Sequence, residues 1–436
     1  MRNLTRRLSA HIAVIIIVAI VLGGALLGWN LSADRQLPQT TLRHLTGDAE
    51  VMREVAISGS YSDSYLQTNF RWTSAGSDSS TEVRPLPRTP DTRHYGLTPF
   101  YWTDDARYMV WNYAQEHIIQ RKDRYGIVDR GAATVKPTFR FVPADPSGDP
   151  NARSWSNRME MGMTQLGESV YYIPPTSAEY TGANAIYELK FVSDDGQPPQ
   201  SRVVTEITLA GNEPGEGNGP TIAILGLEAV NDQLVLLTSQ DGVLTAMRYD
   251  PQSGELTGST TVPEIRFADA KPSIEDRYQM DYEAVTDPES GMLHLYWYRY
   301  GPQEGIVETA VVSLRAGDGL EIAALSRDSL EEAAYGRLYA RIATIRWLDG
   351  RQYVVRQEPA ESGERGILSA GGQPVRLLIE VYEGGSLVYE GALETPAADD
   401  SVRIVYSPSP AARASDPVHN RMLERIDLTK TEVGNR

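Results

Sequence analysis

An uncharged apolar segment from Ile12 to Trp29 constrains this chain more than any other stretch. Its eighteen residues would rise about 27 Å as a helix, close to the hydrocarbon thickness of a bilayer, about 30 Å. Inside a bilayer every backbone polar group must be satisfied within the segment, and a helix satisfies them. The sequence therefore predicts one transmembrane signal-anchor helix over residues 10–31.

The charges around this segment indicate its orientation. Arg2, Arg6 and Arg7 precede it, and the positive-inside rule then assigns residues 1–9 to the cytoplasm and the body to the extracytoplasmic side of the cell membrane. A cleaved signal peptide ending at Leu31-Ser32-Ala33 is the alternative. The apolar stretch is longer than the 7–15 residues typical of such peptides, which favours the anchor.

Two glycines in the segment suggest a contact between membrane helices. Gly24 and Gly28 follow the small-xxx-small spacing that lets two helices approach closely. The pattern predicts a helix-mediated dimer. The alternative is that glycine is simply frequent in membrane helices.

Composition excludes several classes of function. The 436-residue chain has a formal net charge of −17, so a nucleic-acid partner is not expected, because such binding needs a basic face. It contains no cysteine, which excludes disulfides, thiolate metal sites and a cysteine nucleophile. The length beyond the anchor is enough for one large domain or two smaller ones.

Most of the body reads as short strands. Runs rich in Val, Ile, Tyr, Thr and Leu alternate with Gly, Pro, Asp, Asn and Ser. This pattern predicts an all-β extracytoplasmic domain over residues 47–406, preceded by a stalk over 32–46 and followed by a loosely ordered C-terminal tail over 407–436. Three stretches are predicted as loops: Ser74–Thr92, Ala144–Asn157 and Gly211–Pro220. Helical periodicity is confined to Asp328–Leu338 and a turn at Met422–Ile426.

A repeated turn suggests how the strands are organised. Residues 250–256 and 287–293 both read D-P-x-S-G-x-L, 37 residues apart. Asp241-Gly242 and Asp349-Gly350 are typical of two-residue type I′ hairpins. Several strands per period of about 40 residues are typical of a β-propeller, in which each small sheet covers its neighbour. We predict a propeller-like domain of about seven blades; two β-sandwich-type domains are the alternative.

Motifs for catalysis or metal binding are sparse. The sequence contains no G-x-S-x-G or H-E-x-x-H motif and no histidine pair at ligand spacing. We predict no metal site and no cofactor, although the oxygen-rich loops Asp145–Asn151 and Gly211–Pro220 are candidate calcium ligands. Asp281, Glu283 and Asp287 are candidate paired carboxylates for glycoside hydrolysis. The catalytic residues remain unknown.

Aromatic residues are the best binding candidates. Seven fall within residues 95–113, and we select Tyr95, Tyr101, Trp102 and Trp111 as candidate binding residues, because exposed rings anchor sugars and protein partners. The alternative is that these rings pack between sheets, as we expect for Tyr296, Tyr298 and Tyr300 on one face of a strand and Trp297 on the other.

These observations lead to a hypothesis about function. We expect a single-pass membrane protein whose outer domain acts by binding, as a sensor or accessory subunit that engages another envelope protein. An extracytoplasmic carbohydrate-active enzyme using paired carboxylates is the first alternative. A passive structural scaffold is the second.

Overall fold

A computed structural model of the chain describes a series of strands joined by short turns. The residues it describes are 40–62, 66–83, 100–103, 106–113, 116–123, 129–141, 159–177, 180–191, 201–209, 222–267, 280–301, 305–329, 341–359, 375–394, 403–404 and 420–431.

The described strands form six sheets of four or five strands and one sheet of two. Sheet 1 contains β2 (Val55–Ser62), β3 (Leu66–Thr73) and β4 (Gly76–Val83), together with β27 (Arg403–Ile404) and β28 (Asn420–Lys430). Sheet 2 contains β5 (Phe100–Trp102), β6 (Ala106–Tyr113), β7 (Glu116–Asp123) and β8 (Asp129–Val135). Sheet 3 contains β10 (Met163–Leu166), β11 (Ser169–Tyr172), β13 (Ala183–Glu188) and β14 (Arg202–Thr208).

The other three large sheets follow in the same way. Sheet 4 contains β15 (Ile222–Val230), β16 (Gln233–Gln240), β17 (Val243–Tyr249) and β18 (Leu256–Arg266). Sheet 5 contains β19 (Met280–Asp287), β20 (Met292–Gly301), β21 (Gly305–Ala316) and β22 (Leu320–Ser329). Sheet 6 contains β23 (Arg341–Leu348), β24 (Arg351–Pro359), β25 (Val375–Glu383), β26 (Ser386–Glu394) and β1 (Thr41–Gly47). The two-stranded sheet pairs β9 (Arg140–Phe141) with β12 (Tyr180–Thr181).

The all-β prediction is confirmed. Every described strand pair is antiparallel except β27–β28, and the helices among the described residues are two 3-10 turns, Ala49–Met52 and Met159–Gly162. A propeller-like and a sandwich arrangement are both compatible with such a set of antiparallel sheets.

Strands from both ends of the chain complete sheets 1 and 6. The C-terminal strand β28 pairs with β2, with Leu428 opposite Ile57. The N-terminal strand β1 pairs with the outer strand β26 of sheet 6, with Thr41 opposite Glu394. Sheet 1, built mainly from N-terminal residues, therefore contains a C-terminal strand, and sheet 6, built mainly from residues 341–394, contains an N-terminal strand.

The C-terminal strand corrects two predictions. Met422–Ile426, predicted as a helical turn, lies inside β28, so that prediction is wrong. The buried positions Ile426 and Leu428 alternate with more exposed neighbours, which is the two-residue period of a strand. The tail beyond residue 407 is accordingly not all loosely ordered, since residues 420–430 are tied into sheet 1.

Two other stretches also belong to sheets. Residues 76–83 of the predicted Ser74–Thr92 loop form β4, where Ser79 pairs with Phe70 of β3. Residues 41–46 of the predicted stalk belong to β1. Both strands lie at sheet edges and carry mostly exposed, polar side chains, so they lack the apolar pattern that identifies buried strands.

Other predicted boundaries fall partly outside the described residues. Of the predicted helix Asp328–Leu338, residues 328 and 329 end strand β22 instead, and the remainder lies outside. The predicted loops Ala144–Asn157 and Gly211–Pro220 also lie outside. The predicted transmembrane segment, residues 10–31, lies outside as well; among the described residues no helix has the length and apolarity to cross a bilayer.

The two D-G hairpins are confirmed as type I′ turns. Asp241 and Gly242 have φ values of 50° and 76°, and Asp349 and Gly350 have 51° and 80°. Positive φ at both central residues is what a type I′ turn requires, and it matches the twist of the flanking strands.

The first D-P-x-S-G turn joins neighbouring sheets. Asp250 Oδ1 accepts hydrogen bonds from the backbone N of Gln252 and of Ser253, at 2.9 and 2.7 Å. Gly254 adopts φ +74°, and a Cβ there would lie 2.1 Å from the carbonyl oxygen of Val204 in sheet 3. The turn of sheet 4 therefore packs against sheet 3 in a space that only glycine fits.

The second D-P-x-S-G turn has the same role between sheets 4 and 5. Gly291 adopts φ +67°, and a Cβ there would lie 2.3 Å from Nδ2 of Asn231, in the first turn of sheet 4. Asn231 Nδ2 donates to the carbonyl of Ala316 in sheet 5 at 2.7 Å. The repeated motif thus marks turns that dock one sheet on the sheet before it.

The 37-residue spacing of these motifs is nevertheless not the repeat of the fold. The first copy connects the third and fourth strands of sheet 4, whereas the second connects the first and second strands of sheet 5. The first strands of sheets 4, 5 and 6 begin at Ile222, Met280 and Arg341, about 60 residues apart. Because the repeat is longer than predicted, fewer sheets fit in the chain. The described residues contain six large sheets, whereas we predicted about seven blades.

Apolar cores lie between successive sheets. One cluster joins sheets 4 and 5 through residues such as Leu237, Val262 and Trp297, and another joins sheets 6 and 1 through Ile379 and Leu428. Further clusters join sheets 2 and 3, 3 and 4, and 5 and 6. Tyr296 and Tyr298 belong to the cluster between sheets 5 and 6, and Trp297 to the opposite one, as the alternation in β20 predicts.

Substituting Gly254 tests the docking of the D-P-x-S-G turn. We expect Gly254→Ala to lower the free energy of unfolding by several kcal/mol, because it adds a clash with Val204 to the cost of a positive φ, which alone is roughly 1 kcal/mol. Gly350→Ala is the matched control, since Gly350 has φ +80° but nothing within 4 Å of its Cβ position. Equal losses in urea denaturation would contradict a docking role.

Candidate functional site

The predicted aromatic cluster divides between core and surface. Tyr101 is buried, and its hydroxyl accepts a hydrogen bond from the backbone N of Gln165 at 2.8 Å. Its ring lies 6.1 Å from that of Tyr108, and both belong to the core between sheets 2 and 3. Tyr101 therefore has the environment that the packing alternative predicts.

Trp111 has a different environment. It lies in β6, with 47% of its surface exposed, whereas Tyr108 in the same strand is buried. Trp102 belongs to β5 and Tyr95 lies outside the described residues. Among the predicted binding residues whose side chains are described, Trp111 is the one that solvent and a partner can reach.

Several apolar side chains on the outer strands are also exposed. Four of these side chains lie on the fourth strands of sheets 3, 4, 5 and 6. Each is one of the first three residues of its strand. They are Val203, Leu256, Ile322 and Leu387. Single exposed aliphatic residues are common on protein surfaces, so each alone indicates little. Together with Trp111 and Leu45 of β1 they are the exposed large apolar side chains of the described residues.

A buried histidine network lies between sheets 5 and 6. His294 Nδ1 is 2.6 Å from Ser313 Oγ on the adjacent strand, and Gln352 Nε2 of β24 also donates to Ser313 Oγ. All three side chains are fully buried. Ser313 Oγ therefore bridges His294 of β20 and Gln352 of β24 across the junction.

The same region resembles a catalytic triad in composition but not in geometry. Asp287, His294 and Ser313 are the residue types of a Ser-His-Asp triad, in which serine contacts Nε2 and aspartate contacts Nδ1. Here serine occupies Nδ1, and the Asp287 carboxylate accepts from the backbone N of Trp347 at 3.2 Å. With serine at the wrong nitrogen and the imidazole buried, this network stabilises the junction between sheets rather than activating a nucleophile.

Asp287 was also a candidate member of a carboxylate pair. It is buried, which alone raises the pKa of a carboxyl group, but hydrogen bonds from Ser290 and Trp347 and the nearby Arg346 outweigh burial and lower the pKa of Asp287. A carboxylate held ionised by backbone donors is suited to fixing a turn and not to donating a proton.

A second buried charged group lies across the same pair of sheets. Arg356 Nε is 2.8 Å from Glu380 Oε2, and its Nη2 is 3.3 Å from Asp328 Oδ2 of sheet 5. Tyr382 donates to Glu380 at 2.9 Å, and the guanidinium carbon lies 5.6 Å from the Tyr296 ring centroid. Burial alone lowers the pKa of Arg356, but the charge of Glu380 outweighs it and raises that pKa well above its usual value.

Metal ligation finds no support in the described part of the chain. No group of three or more His, Asp or Glu side chains there is arranged to hold a metal ion. Both candidate calcium loops, Asp145–Asn151 and Gly211–Pro220, lie outside the described residues, so calcium binding remains a prediction.

The two buried networks were not predicted from the sequence. The bonded pairs His294–Ser313, Ser313–Gln352 and Arg356–Glu380 are 19 to 39 residues apart and join different strands, so no local spacing connects them. The sequence did contain one indication of the histidine network. His294 is a polar residue in the apolar central strand β20, on the face opposite Trp297. A polar residue at a buried strand position needs a partner across the sheet, and Ser313 is that partner.

Comparisons with known proteins leave the family open. No protein-family model matches the sequence, and no curated protein matches it. One similar solved structure comes from a structural and mechanistic study of two prolyl endopeptidases and the role of inter-domain dynamics in their catalysis and specificity. The two chains are 11% identical, the match covers 83% of this chain and 45% of that one, and the TM-score is 0.32. The chain spans less than half of that structure's length, and a likeness this weak carries no argument about fold or function.

The buried histidines predict a loss of stability in acid. Burial lowers the pKa of His294 to about 4, against 6.5 in an unfolded chain. The unfolded state therefore binds more protons between these values, and the free energy of unfolding falls as pH decreases. We expect His294→Gln to remove about 2 kcal/mol of the wild-type loss between pH 7.5 and 5.

His117 provides the matched comparison for this experiment. Burial lowers its pKa to about 4 as well, at a different junction, where its Nδ1 lies 2.8 Å from the Tyr172 hydroxyl. His117→Gln is expected to reduce the pH slope by a similar amount, and the double variant by the sum. A pH slope unchanged in both variants, measured by urea denaturation, would overturn this account.

The buried Arg356 group predicts that the free energy of unfolding depends strongly on the pairing of its charges. Arg356→Met leaves the Glu380 carboxylate buried without its cation, so we expect a loss of about 3–5 kcal/mol in the free energy of unfolding. Arg351→Met on the same strand is the control, because its pair with Glu383 is partly exposed and is worth less than about 1 kcal/mol. Restoration of stability by Glu380→Gln in the Arg356→Met background supports the mechanism, whereas equal losses at 351 and 356 contradict it.

Proposed function

We propose that this chain is a single-pass membrane protein whose outer domain is a six-bladed β-propeller that binds another envelope protein, as a sensor or accessory subunit. The described sheets would be the blades, and the first strand of each blade would line the axis. The helix over residues 10–31 would hold the propeller at the extracytoplasmic face of the membrane.

The contacts between first strands support a ring. β10 contacts β15, β15 contacts β19, β19 contacts β23, and β23 contacts β28. A series of sheets that touch in order through their first strands is the arrangement of propeller blades around an axis. A pair of sandwiches would instead bury the faces of two sheets against each other, with no such succession.

The exchange of terminal strands supports closure of that ring. In sheet 1, β28 lies between the short strand β27 and β2, and β2, β3 and β4 come from the N-terminal part of the chain. β28 also contacts β23 of sheet 6, so the last sheet and the first sheet meet at this strand. Closing the ring with a strand from the opposite end of the chain hides the edges that an open series of sheets would expose.

The exposure of Trp111 is the observation that carries the binding role. The His294–Ser313–Gln352 and Arg356–Glu380 groups are buried and bonded within the sheets, whereas this indole is nearly half exposed. An exposed tryptophan on a rigid strand loses little conformational entropy when a partner covers it, and such residues often dominate binding energy. A protein partner is therefore favoured over a reaction.

Crosslinking in intact cells tests this proposal. A membrane-impermeant, amine-reactive reagent reaches lysines such as Lys136, Lys190 and Lys430, which are exposed in the structure, only if the domain is extracytoplasmic. We expect capture of one specific envelope protein, and a reduction of at least about fivefold in its yield for Trp111→Ala, as for a residue worth roughly 1 kcal/mol or more of binding.

Leu256→Ala is the matched control, because Leu256 is equally exposed but lies on sheet 4. Its yield should equal that of the wild type. Labelling that appears only after lysis would overturn the topology. Efficient labelling without a specific partner, or equal losses in the two variants, would overturn the binding role of Trp111.

A further inference from the structure

The ends of the first strands lie side by side. Thr286 Oγ1 near the end of β19 donates to the carbonyl of Ala229 near the end of β15, at 3.2 Å. Trp347 N near the end of β23 donates to Asp287 of β19, also at 3.2 Å. Sheets 4, 5 and 6 therefore point their first strands in one direction.

Sheets 6 and 1 continue this arrangement. Lys430 Nζ at the end of β28 lies 2.6 Å from Asp349 Oδ1, in the turn that follows β23. The first strands all end on one side of the domain, and the short turns between first and second strands lie there. We call this side the turn end. The opposite side is the linker end.

The turns between third and fourth strands share the turn end. In sheet 6, Leu348 pairs with Arg351 around the first turn, and Glu383 pairs with Ser386 around the last turn. Antiparallel pairing puts both turns on one side. The outer strand β26 therefore starts at the turn end and finishes at the linker end, at Glu394.

Strand β1 joins the domain at the linker end. Thr41, its first residue, pairs with Glu394, and Arg43 Nε forms an ion pair with Glu394 Oε1 at 2.7 Å. The following pairs proceed towards the turn end, where Gly47 is opposite Tyr389. The chain that arrives from the N-terminal side thus meets the domain at the linker end of sheet 6.

The length of the connection limits how the domain can sit. Residues 32–40 separate the predicted membrane helix from β1, and nine extended residues reach at most about 30 Å. The nine-residue strand β26 has a height of about 30 Å as well. With the turn end on the membrane, Thr41 would be a full strand height above it, and the linker would have to be completely stretched.

From this geometry we propose that the linker end of the domain faces the bilayer and the turn end points away from it. The inference rests on the proposed membrane anchor. It identifies the lipid surface as what the linker end meets.

Trp111 lies at this same end. In sheet 2, Tyr113 pairs with Glu116 at the linker end, and Trp111 is two residues before it. Sheet 2 points the same way as sheet 3, because the Tyr101 hydroxyl near the end of β5 accepts from the backbone N of Gln165 near the end of β10. Sheet 3 points the same way as sheet 4, because Arg202 at the start of β14 donates to the carbonyls of Pro251 and Gln252 in the turn before β18. The proposed orientation would hold Trp111 near the bilayer, and the partner proposed above would then be an integral membrane protein.

Energy transfer to labelled lipid tests the orientation. The chain has no cysteine, so Gln252→Cys and Glu264→Cys each give one labelling position in the full-length protein. Both residues are exposed; one precedes β18 at the turn end and the other is near its linker end. The pairing of β17 with β18 from Tyr249 to Val243, which separates the two positions, spans about 20 Å. We expect at least about twofold higher transfer efficiency from position 264 to acceptor-labelled headgroups in proteoliposomes.

The outcomes separate this inference from the proposed function. Proteoliposome flotation is measured on each labelled sample, and protein that fails to float with the vesicles refutes the anchor itself. With flotation intact, equal transfer from the two positions indicates a domain lying on its side and overturns the orientation. Stronger transfer from position 252 indicates the reverse orientation and also overturns it.

Discussion

The burial of apolar side chains between successive sheets is the interaction on which this structure depends. A four-stranded sheet has two faces, and a single such sheet in water is marginal unless a neighbour covers it. Here the same strand serves two junctions: Trp297 of β20 belongs to the core with sheet 4, and Tyr296 and Tyr298 to the core with sheet 6. Among the described residues, sheets 3 to 6 each pack in this way against a neighbouring sheet on both faces.

Polar groups at these junctions add precision to the apolar contact. The hydrophobic effect is not directional, so it does not by itself fix how one sheet sits on the next. The His294–Ser313–Gln352 network and the Arg356–Glu380–Asp328 group supply directional contacts across the junction of sheets 5 and 6. Arg248 has the corresponding role between sheets 4 and 5, where it donates to the backbone carbonyls of Asp318 and Gly319.

Much of the fold was predictable because strands and tight turns have local signatures. The alternation in β20 and the type I′ turns at 241–242 and 349–350 were identified from the sequence alone. The edge strands β1 and β4 were missed, because exposed edge positions carry polar side chains that resemble loops. The true repeat of about 60 residues was missed because the two D-P-x-S-G turns occupy different positions within their sheets. Of the candidate binding residues, Trp111 is exposed and Tyr101 is buried, a distinction that depends on which face of a strand meets its neighbour.

The pairing of β28 with β2 has a consequence for how the protein is made. More than 340 residues separate the two strands, and contacts between such distant positions form slowly because a long loop must close first. During synthesis, β2, β3 and β4 emerge early but lack the neighbouring strand β28 until residues 420–430 have been made. The N-terminal sheet therefore keeps one open edge until β28 has been made, and an unpaired strand edge is a site at which chains can aggregate.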